Sequence, residues 1–169
     1  MGENSRTDIM SNHIKLGSSP PPSSEATSKV MKANKSKGTK LELDMRKALR
    51  KIGLSGYRLN WKKVPGSPDI TYPNKKIAIF VHGCFWHNCP YCKPSLPKRH
   101  KNFWKRKFEL NRARDKQKRQ ELEKLRWKVF EFWGCQIKKN PEKYALEVRK
   151  YFQKTNQSKE KKNPRGIHI

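Results

Sequence analysis

Cys84, Cys89 and Cys92 crowd into one short stretch, Gly83-Cys84-Phe85-Trp86-His87-Asn88-Cys89-Pro90-Tyr91-Cys92, and the fourth cysteine of the chain, Cys135, lies well downstream. A Cys-x-x-Cys knuckle offers two thiolates from one turn, and Cys84 with Cys135 would close a tetrahedron around Zn²⁺. Four protein ligands leave no open position, so such a zinc would be structural. Free core cysteines and a redox pair are the competing readings, and His87 could stand in for one thiolate. His82 directly precedes the stretch. Hydrolysis of a phosphodiester needs Mg²⁺ on the attacked phosphate, a group that orients or deprotonates water, and an acid for the leaving oxygen. Two imidazoles and a carboxylate can supply those parts. A single histidine is more often structural; two that flank an acid able to take a metal point toward chemistry.

The elements that must position these groups follow from the pattern around them. Ile77-Ala78-Ile79-Phe80-Val81 is a continuous apolar run and predicts a strand buried on both faces, leading straight into the cysteine loop. Ser67 to Tyr72 predicts a shorter strand, with Pro73-Asn74 turning the chain between the two. Paired as a hairpin, they lay Asp69 opposite Ile79–Val81. A carboxylate beside a central strand needs a counter-charge, which makes Asp69 a candidate metal ligand. Upstream, Thr39-Lys40-Leu41-Glu42 has the spacing of a capping box, and Leu41, Met45, Leu49 and Ile52 form the stripe of a first helix that Gly53 ends. Tyr57 to Trp61 can be a short strand.

Downstream, Lys93 to Lys128 carries 15 Lys and Arg against four acids. Trp104, Phe108, Asn111, Asp115 and Leu122 recur on one face, predicting a long amphipathic helix whose other faces are basic. Asp115 on that face is either an ion pair or a site residue. Phe85, Trp86 and Trp104 can stack on bases or wedge between them; core packing is the alternative, most of all for Trp104. Trp127 to Trp133 predicts a further strand broken by Gly134, and Asn140-Pro141 opens a last helix. The order of elements predicts an α/β fold, a mixed sheet flanked by helices.

Of the 169 residues, 41 are Lys or Arg and 14 are acids, a formal charge of +27. That balance attracts phosphates, so nucleic acid is the first partner to consider and a membrane surface the second. No stretch approaches the ~20 apolar residues of a membrane span, and no signal peptide is visible, which predicts an intracellular, cytoplasmic protein without membrane association. Residues 1–36 are polar and rich in Ser, Pro and Lys, predicting a disordered arm; 37–153 form the domain, and 154–169 a flexible tail.

Taken in order, these motifs resemble the very short patch repair (Vsr) DNA mismatch endonucleases, a branch of the restriction-endonuclease-like fold. Met31 with Thr39-x-x-Glu42, Gly66-Ser67-Pro68-Asp69, Phe80 to His87, Asn102-Phe103-Trp104, Asn111-x-x-Arg114-Asp115, and Trp127-Lys128-Val129 up to Cys135 carry the likeness. It implies a Mg²⁺-dependent enzyme that nicks one strand beside a T:G mismatch. Asp69 would bind the Mg²⁺ with the main-chain carbonyl of Val81. His82 and His87 would be catalytic, Asp115 would support one of them, and Glu42 is a further acid near the site. Phe85, Trp86 and Trp104 would insert beside the mismatch, and Met31 would sit in an arm gripping the other groove. Val81 stands where a threonine is familiar, and Asn34 where an apolar residue often stands. The expected partner is duplex DNA with a T:G mismatch, bound by a monomer on the bacterial nucleoid, with a MutL-type repair protein as a further candidate. The alternatives are a restriction-type nuclease on the same scaffold and a zinc module that binds DNA without cutting it.

Overall fold

Thr39 opens the first long helix. Its hydroxyl accepts the Glu42 N–H at 3.3 Å while Glu42 Oε1 accepts the Thr39 N–H at 3.3 Å, the reciprocal cap that the spacing predicts. The computed structural model describes residues 37–160, with side chains to Thr155, and a few residues between 20 and 29. Nearly all of the expected N-terminal arm, Met31 and Asn34 included, lies outside the described residues, as do residues 161–169.

Helix α1 (Lys40–Lys51) buries Met45, Ala48 and Leu49. Two short strands follow, β1 (Arg58–Leu59) and β2 (Ile70–Tyr72), both shorter than the sequence pattern implies, because Pro65-Gly66 and Pro68 occupy the segment between them. A 3₁₀ turn (Pro73–Lys75) leads into β3 (Ile77–His82). The sheet order is β1-β2-β3-β4, antiparallel except for the β3–β4 pair. A parallel neighbour requires a crossover, and α2 (Lys101–Lys124) provides it before β4 (Lys128–Trp133). Two expectations are corrected here. The basic helix does not span 93–128: Pro94 and Pro97 keep the approach irregular, and Arg126 ends it. Gly134 does not simply break the chain but starts a short helix, α3 (Gly134–Lys139). A Cβ at Gly134 would lie 2.8 Å from Leu41 Cδ1 and 3.4 Å from Cys84 Sγ, so glycine lets this turn pass close to the cysteine loop. Asn140 Oδ1 then accepts the Lys143 N–H at 2.9 Å and caps α4 (Pro141–Glu160). That helix extends through Lys154–Glu160, the first part of the segment that composition assigned to a flexible tail.

Strand alternation divides the sheet into two faces. Ile70, Ile77, Ile79, Phe130 and Phe132 join Met45, Leu49, Ile137 and Val148 in one buried cluster, with α1, α3 and α4 covering that face. Each fully buried aliphatic side chain there contributes about 1.5–3 kcal/mol. The opposite face, with Ala78, Phe80, His82, Val129, Glu131 and Trp133, turns toward α2. No described helix is long and apolar enough to cross a membrane.

The end of α2 offers a test of the backbone. The Arg126 N–H bonds Glu123 O at 2.9 Å and the Trp127 N–H bonds Leu122 O at 3.0 Å, which is a Schellman motif with Arg126 at φ 61°. A left-handed side-chain-bearing residue costs roughly 1–2 kcal/mol, partly offset by the entropy glycine loses on folding. Arg126→Gly is therefore expected to stabilise the protein by about 0.5–1 kcal/mol, read as a higher urea midpoint at unchanged m-value.

Candidate active site

The hairpin register sets Asp69. Tyr72 pairs with Ile77, Thr71 with Ala78 and Ile70 with Ile79; one residue further back, Asp69 leaves the ladder and its Oδ2 accepts the Val81 N–H at 2.8 Å. Pro68 stands where the ladder would continue, and it has no N–H to give the Val81 carbonyl. The N–H and C=O of one strand residue point to the same edge. The Val81 carbonyl therefore faces the edge occupied by Asp69, with no ladder donor opposite it. Burial pushes the Asp69 carboxyl up to about 6; the Val81 hydrogen bond pulls it down, the charge of Glu42 raises it, and His82 and His87 lower it. Such a carboxyl ionises readily once a cation arrives.

Just past this same end of β3 the chain enters the loop that carries His87. His87 Nδ1 and Asp115 Oδ2 lie 2.5 Å apart, a short bond between loop and helix. Desolvation alone would raise Asp115, but the hydrogen bond and charge of His87 outweigh it and hold the carboxyl below its ordinary value. Asn111 Nδ2, one turn earlier on α2, donates to Trp86 O at 2.7 Å and ties down the same loop. The rings of His82 and His87 are 4.5 Å apart between centroids. Asp69, Val81, His82, His87 and Asp115 thus meet at one end of β3.

Glu42 is placed differently. Its carboxylate accepts from Gly38 N at 2.9 Å, Thr39 Oγ1 at 2.9 Å and Thr39 N, so the helix cap occupies it. Only its charge reaches the site, through Asp69.

Two residues of the site were not singled out in the sequence. Glu131 Oε1 lies 3.4 Å from His82 Nε2, and Glu131 Oε2 accepts from Arg119 Nη1 at 2.8 Å. Against desolvation, which raises it, the bond to His82 and the charges of His82 and Arg119 keep the Glu131 carboxyl low. One signal was available: Glu131 is the only acid in the otherwise apolar run Val129-Phe130-Glu131-Phe132-Trp133. A cleft of about 310 Å³ opens over these groups, lined by His82, His87, Arg112, Asp115, Arg119 and Glu131 among others.

The four cysteines form a separate cluster. None is in a disulfide, and one sulfur from each lies within 4.8 Å of the other three. Cys89 and Cys135 sulfurs are 3.7 Å apart, and the Cys135 N–H donates to Cys84 Sγ at 3.1 Å. Tetrahedral Zn–S bonds of ~2.3 Å space their sulfurs by about 3.8 Å, so the set fits a metal ion without large movement. The thiols also press on one another. Partial desolvation, then hydrogen bonds and charge from Cys84 and Cys89, push Cys92 up to about 12, and Cys135 is raised for the same reasons. Cys89, despite its desolvation, is lowered by hydrogen bonds from the main chain of Cys92 and Tyr91. A dication would resolve that conflict by favouring four thiolates. His87 stands apart, with Asp115, and is not among these four.

The aromatic residues pack on one another. Phe85 lies 5.2 Å from Trp86, 5.2 Å from Trp104 and 5.4 Å from Phe108, between ring centroids. Trp104 is buried at 9% exposure, whereas Phe85 and Trp86 are half-buried. The cluster joins Phe85 and Trp86 of the loop to Trp104 and Phe108 of α2.

Comparison with known proteins gives a consistent result. The family model described as "DNA mismatch endonuclease Vsr" matches residues 23–93. The chain is 43% identical over 128 residues to the type II nicking enzyme V.HpaIIP of Haemophilus parainfluenzae, covering 75% of this chain and 90% of that protein. It is 39% identical over 120 residues to V.XorIIP of Xanthomonas oryzae, covering 71% and 85%. It is 32% identical over 111 residues to the DNA mismatch endonuclease Vsr of Escherichia coli, covering 66% and 70%.

Proposed function

The chain belongs to the Vsr DNA mismatch endonuclease family, and from that premise we propose that it nicks one strand of duplex DNA beside a T:G mismatch, using Mg²⁺. The observation that carries this reading is the meeting of Asp69, the Val81 carbonyl, His82 and the His87–Asp115 pair at the end of β3. Asp69 and the Val81 carbonyl would hold the cation, a hard ion that prefers oxygen ligands. The chemistry that Mg²⁺ would supply there is charge stabilisation on the scissile phosphate and activation of water. The chain's own groups handle the protons. Asp115 accepts from His87 Nδ1–H, which leaves the lone pair of His87 on Nε2. His82, at 7% exposure, is shielded from bulk water and held from the side by Glu131. Zinc in the cysteine cluster would tie the loop that carries His87 to the start of α3, and so fix where that imidazole stands.

Substrate binding divides into two parts. The basic faces of α2 attract phosphates without reading sequence. Phe85 and Trp86 can leave their cluster to stack beside the mismatched pair, with Trp104 behind them. Trp86→Ala is then expected to lower discrimination between T:G and matched duplexes about tenfold, while binding to matched duplex and its salt dependence hold. Comparing both duplexes at two salt concentrations measures this, and equal losses on both would return Trp86 to a packing role. A MutL-type protein is the further partner this reading suggests.

Several relatives are named nicking enzymes, which favours single-strand cutting and leaves open a substrate that is an intact site rather than a mismatch. End-labelled matched and T:G duplexes incubated with protein and Mg²⁺ separate the two: cutting confined to T:G supports mismatch repair, and equal cutting of both removes it.

The Asp69 carboxyl adds a pH test. With its value raised to about 6 in the folded protein, the metal-free chain loses stability on this account as pH rises from about 4 to about 6, because the unfolded carboxyl releases its proton first. Cation binding requires the ionised form. At limiting Mg²⁺, nicking is expected to fall as pH drops through about 6, and this acid limb should move to lower pH as Mg²⁺ is raised. A limb that ignores Mg²⁺ would assign the titration to another group.

A further inference from the structure

We propose that His82, His87 and Asp115 form a second metal site, which takes a transition ion such as Zn²⁺ or Co²⁺ in the DNA-free protein and thereby blocks nicking. The inference goes beyond the Mg²⁺ reading above; only its inhibitory half rests on the histidines being catalytic. One ligand atom from each of the three residues lies within 4.8 Å of the other two. Two imidazoles and a carboxylate are poor ligands for Mg²⁺, which dehydrates reluctantly and prefers oxygen, but they suit the borderline ions that imidazole selects.

The surroundings of the three residues supply what a working site needs beyond its ligands: outer partners that fix the rings, and a route in. His82 is backed by a carboxylate on one ring nitrogen. His87 Nδ1 already lies 2.5 Å from Asp115 Oδ2, so an ion would replace the proton that these two atoms share. Glu131 Oε1 faces His82 Nε2, so the neutral ring offers Nδ1. Arg119 in turn holds Glu131 by its other oxygen at 2.8 Å. Metal-ligating histidines characteristically donate their other N–H to a carboxylate in this way. The cleft of about 310 Å³ lined by all five residues opens the site to solution. Lys93, Arg112 and Lys116 also line it. Their repulsion lowers the affinity for any dication without changing the preference for a nitrogen-seeking one.

An ion held by both imidazoles removes the lone pairs on which proton transfer depends. The same element that would stabilise the fold through the cysteines would therefore inhibit it when in excess.

The test uses the full chain with one equivalent of Zn²⁺ in the cysteine cluster, titrated with Co²⁺ in the absence of DNA and Mg²⁺. The expected result is one further saturable equivalent, with visible cobalt bands and no thiolate-to-cobalt absorption, which would mark exchange into the cysteines instead. Asp115→Asn and His87→Ala should lose this equivalent while retaining zinc and an unchanged far-ultraviolet spectrum. Glu131→Gln should weaken it about 10–100-fold. No second equivalent, or one that survives unchanged in both ligand variants, overturns the proposal. Zn²⁺ in excess should slow single-turnover nicking about tenfold or more once the site fills. Filling without inhibition would overturn the block and place the failure in the catalytic reading of the histidines, since the binding would stand by itself.

Discussion

Asp69→Asn is expected to bind duplex DNA at least as well as the parent protein and to nick it about 10³-fold more slowly, since loss of a metal worth several kcal/mol to the transition state has that size. The asparagine is nearly isosteric, and its amide oxygen can still accept the Val81 N–H that Asp69 Oδ2 takes at 2.8 Å. The hairpin and the zinc content should therefore survive. What disappears is the negative charge that attracts the cation. Burial already holds this carboxyl up at about 6, so the neutral amide removes an unfavourable ionisation, and stability near neutral pH should rise slightly. DNA binding loses one carboxylate that repels phosphate. The measurement is single-turnover cutting at saturating protein, where weak binding cannot pass for weak chemistry. Parent-like rates would move the active site away from β2 and β3.

Loss of zinc is expected to have the second large effect, on the fold rather than on the chemistry directly. Elemental analysis should find about one Zn²⁺ per chain, and Cys89→Ser or Cys135→Ser should lose the metal and several kcal/mol of stability together. Cys135 sits at the start of α3, one residue past Gly134, and its N–H lies 3.1 Å from Cys84 Sγ. Without the metal, four sulfurs crowd within 4.8 Å, and the thiols of Cys92 and Cys135 are pushed up. The loop between Cys84 and Cys92 then keeps its ties to α2, through Asn111 on Trp86 O, Asp115 on His87 and the packing of Phe85, but loses its tie to α3 through the metal. Nicking should fall with zinc content because His87 rides on that loop. A stable, metal-free protein of ordinary activity would show that the cluster is a packing feature only. The same variants separate structural zinc from the second site proposed above, which lies on other residues and should still bind cobalt in any fraction that stays folded.

The sequence by itself determined the features whose physics is local. The Thr39–Glu42 cap, the Asn140 cap, the Ile77–His82 strand and the Cys-x-x-Cys knuckle each depend on residues a few positions apart, and each forms where its spacing says it should. Asp69 was legible for a related reason: a hairpin turn at Pro73 fixes register by counting, which lays Asp69 beside the Ile79–Val81 part of β3. The tertiary structure decided whatever depends on which face meets which. Glu131 reaches His82 only because β4 lies parallel to β3 with His82 opposite Trp133, a pairing set by the α2 crossover and by no local pattern. Arg119 was one basic residue among many on α2 until the helix placed it over Glu131. His87 could have been a zinc ligand or a site residue on spacing alone, and only the tertiary structure places it against Asp115, across 28 positions, rather than among the four cysteines. The same holds for the aromatics. Composition gave them two readings, and packing of Phe85 on Trp104 and Phe108 made one cluster of residues that are distant in the chain. Periodicity encodes neighbours along an element, whereas contacts between elements follow from burying one face of a sheet against α1 and α4 and the other against α2, which is a property of the whole chain.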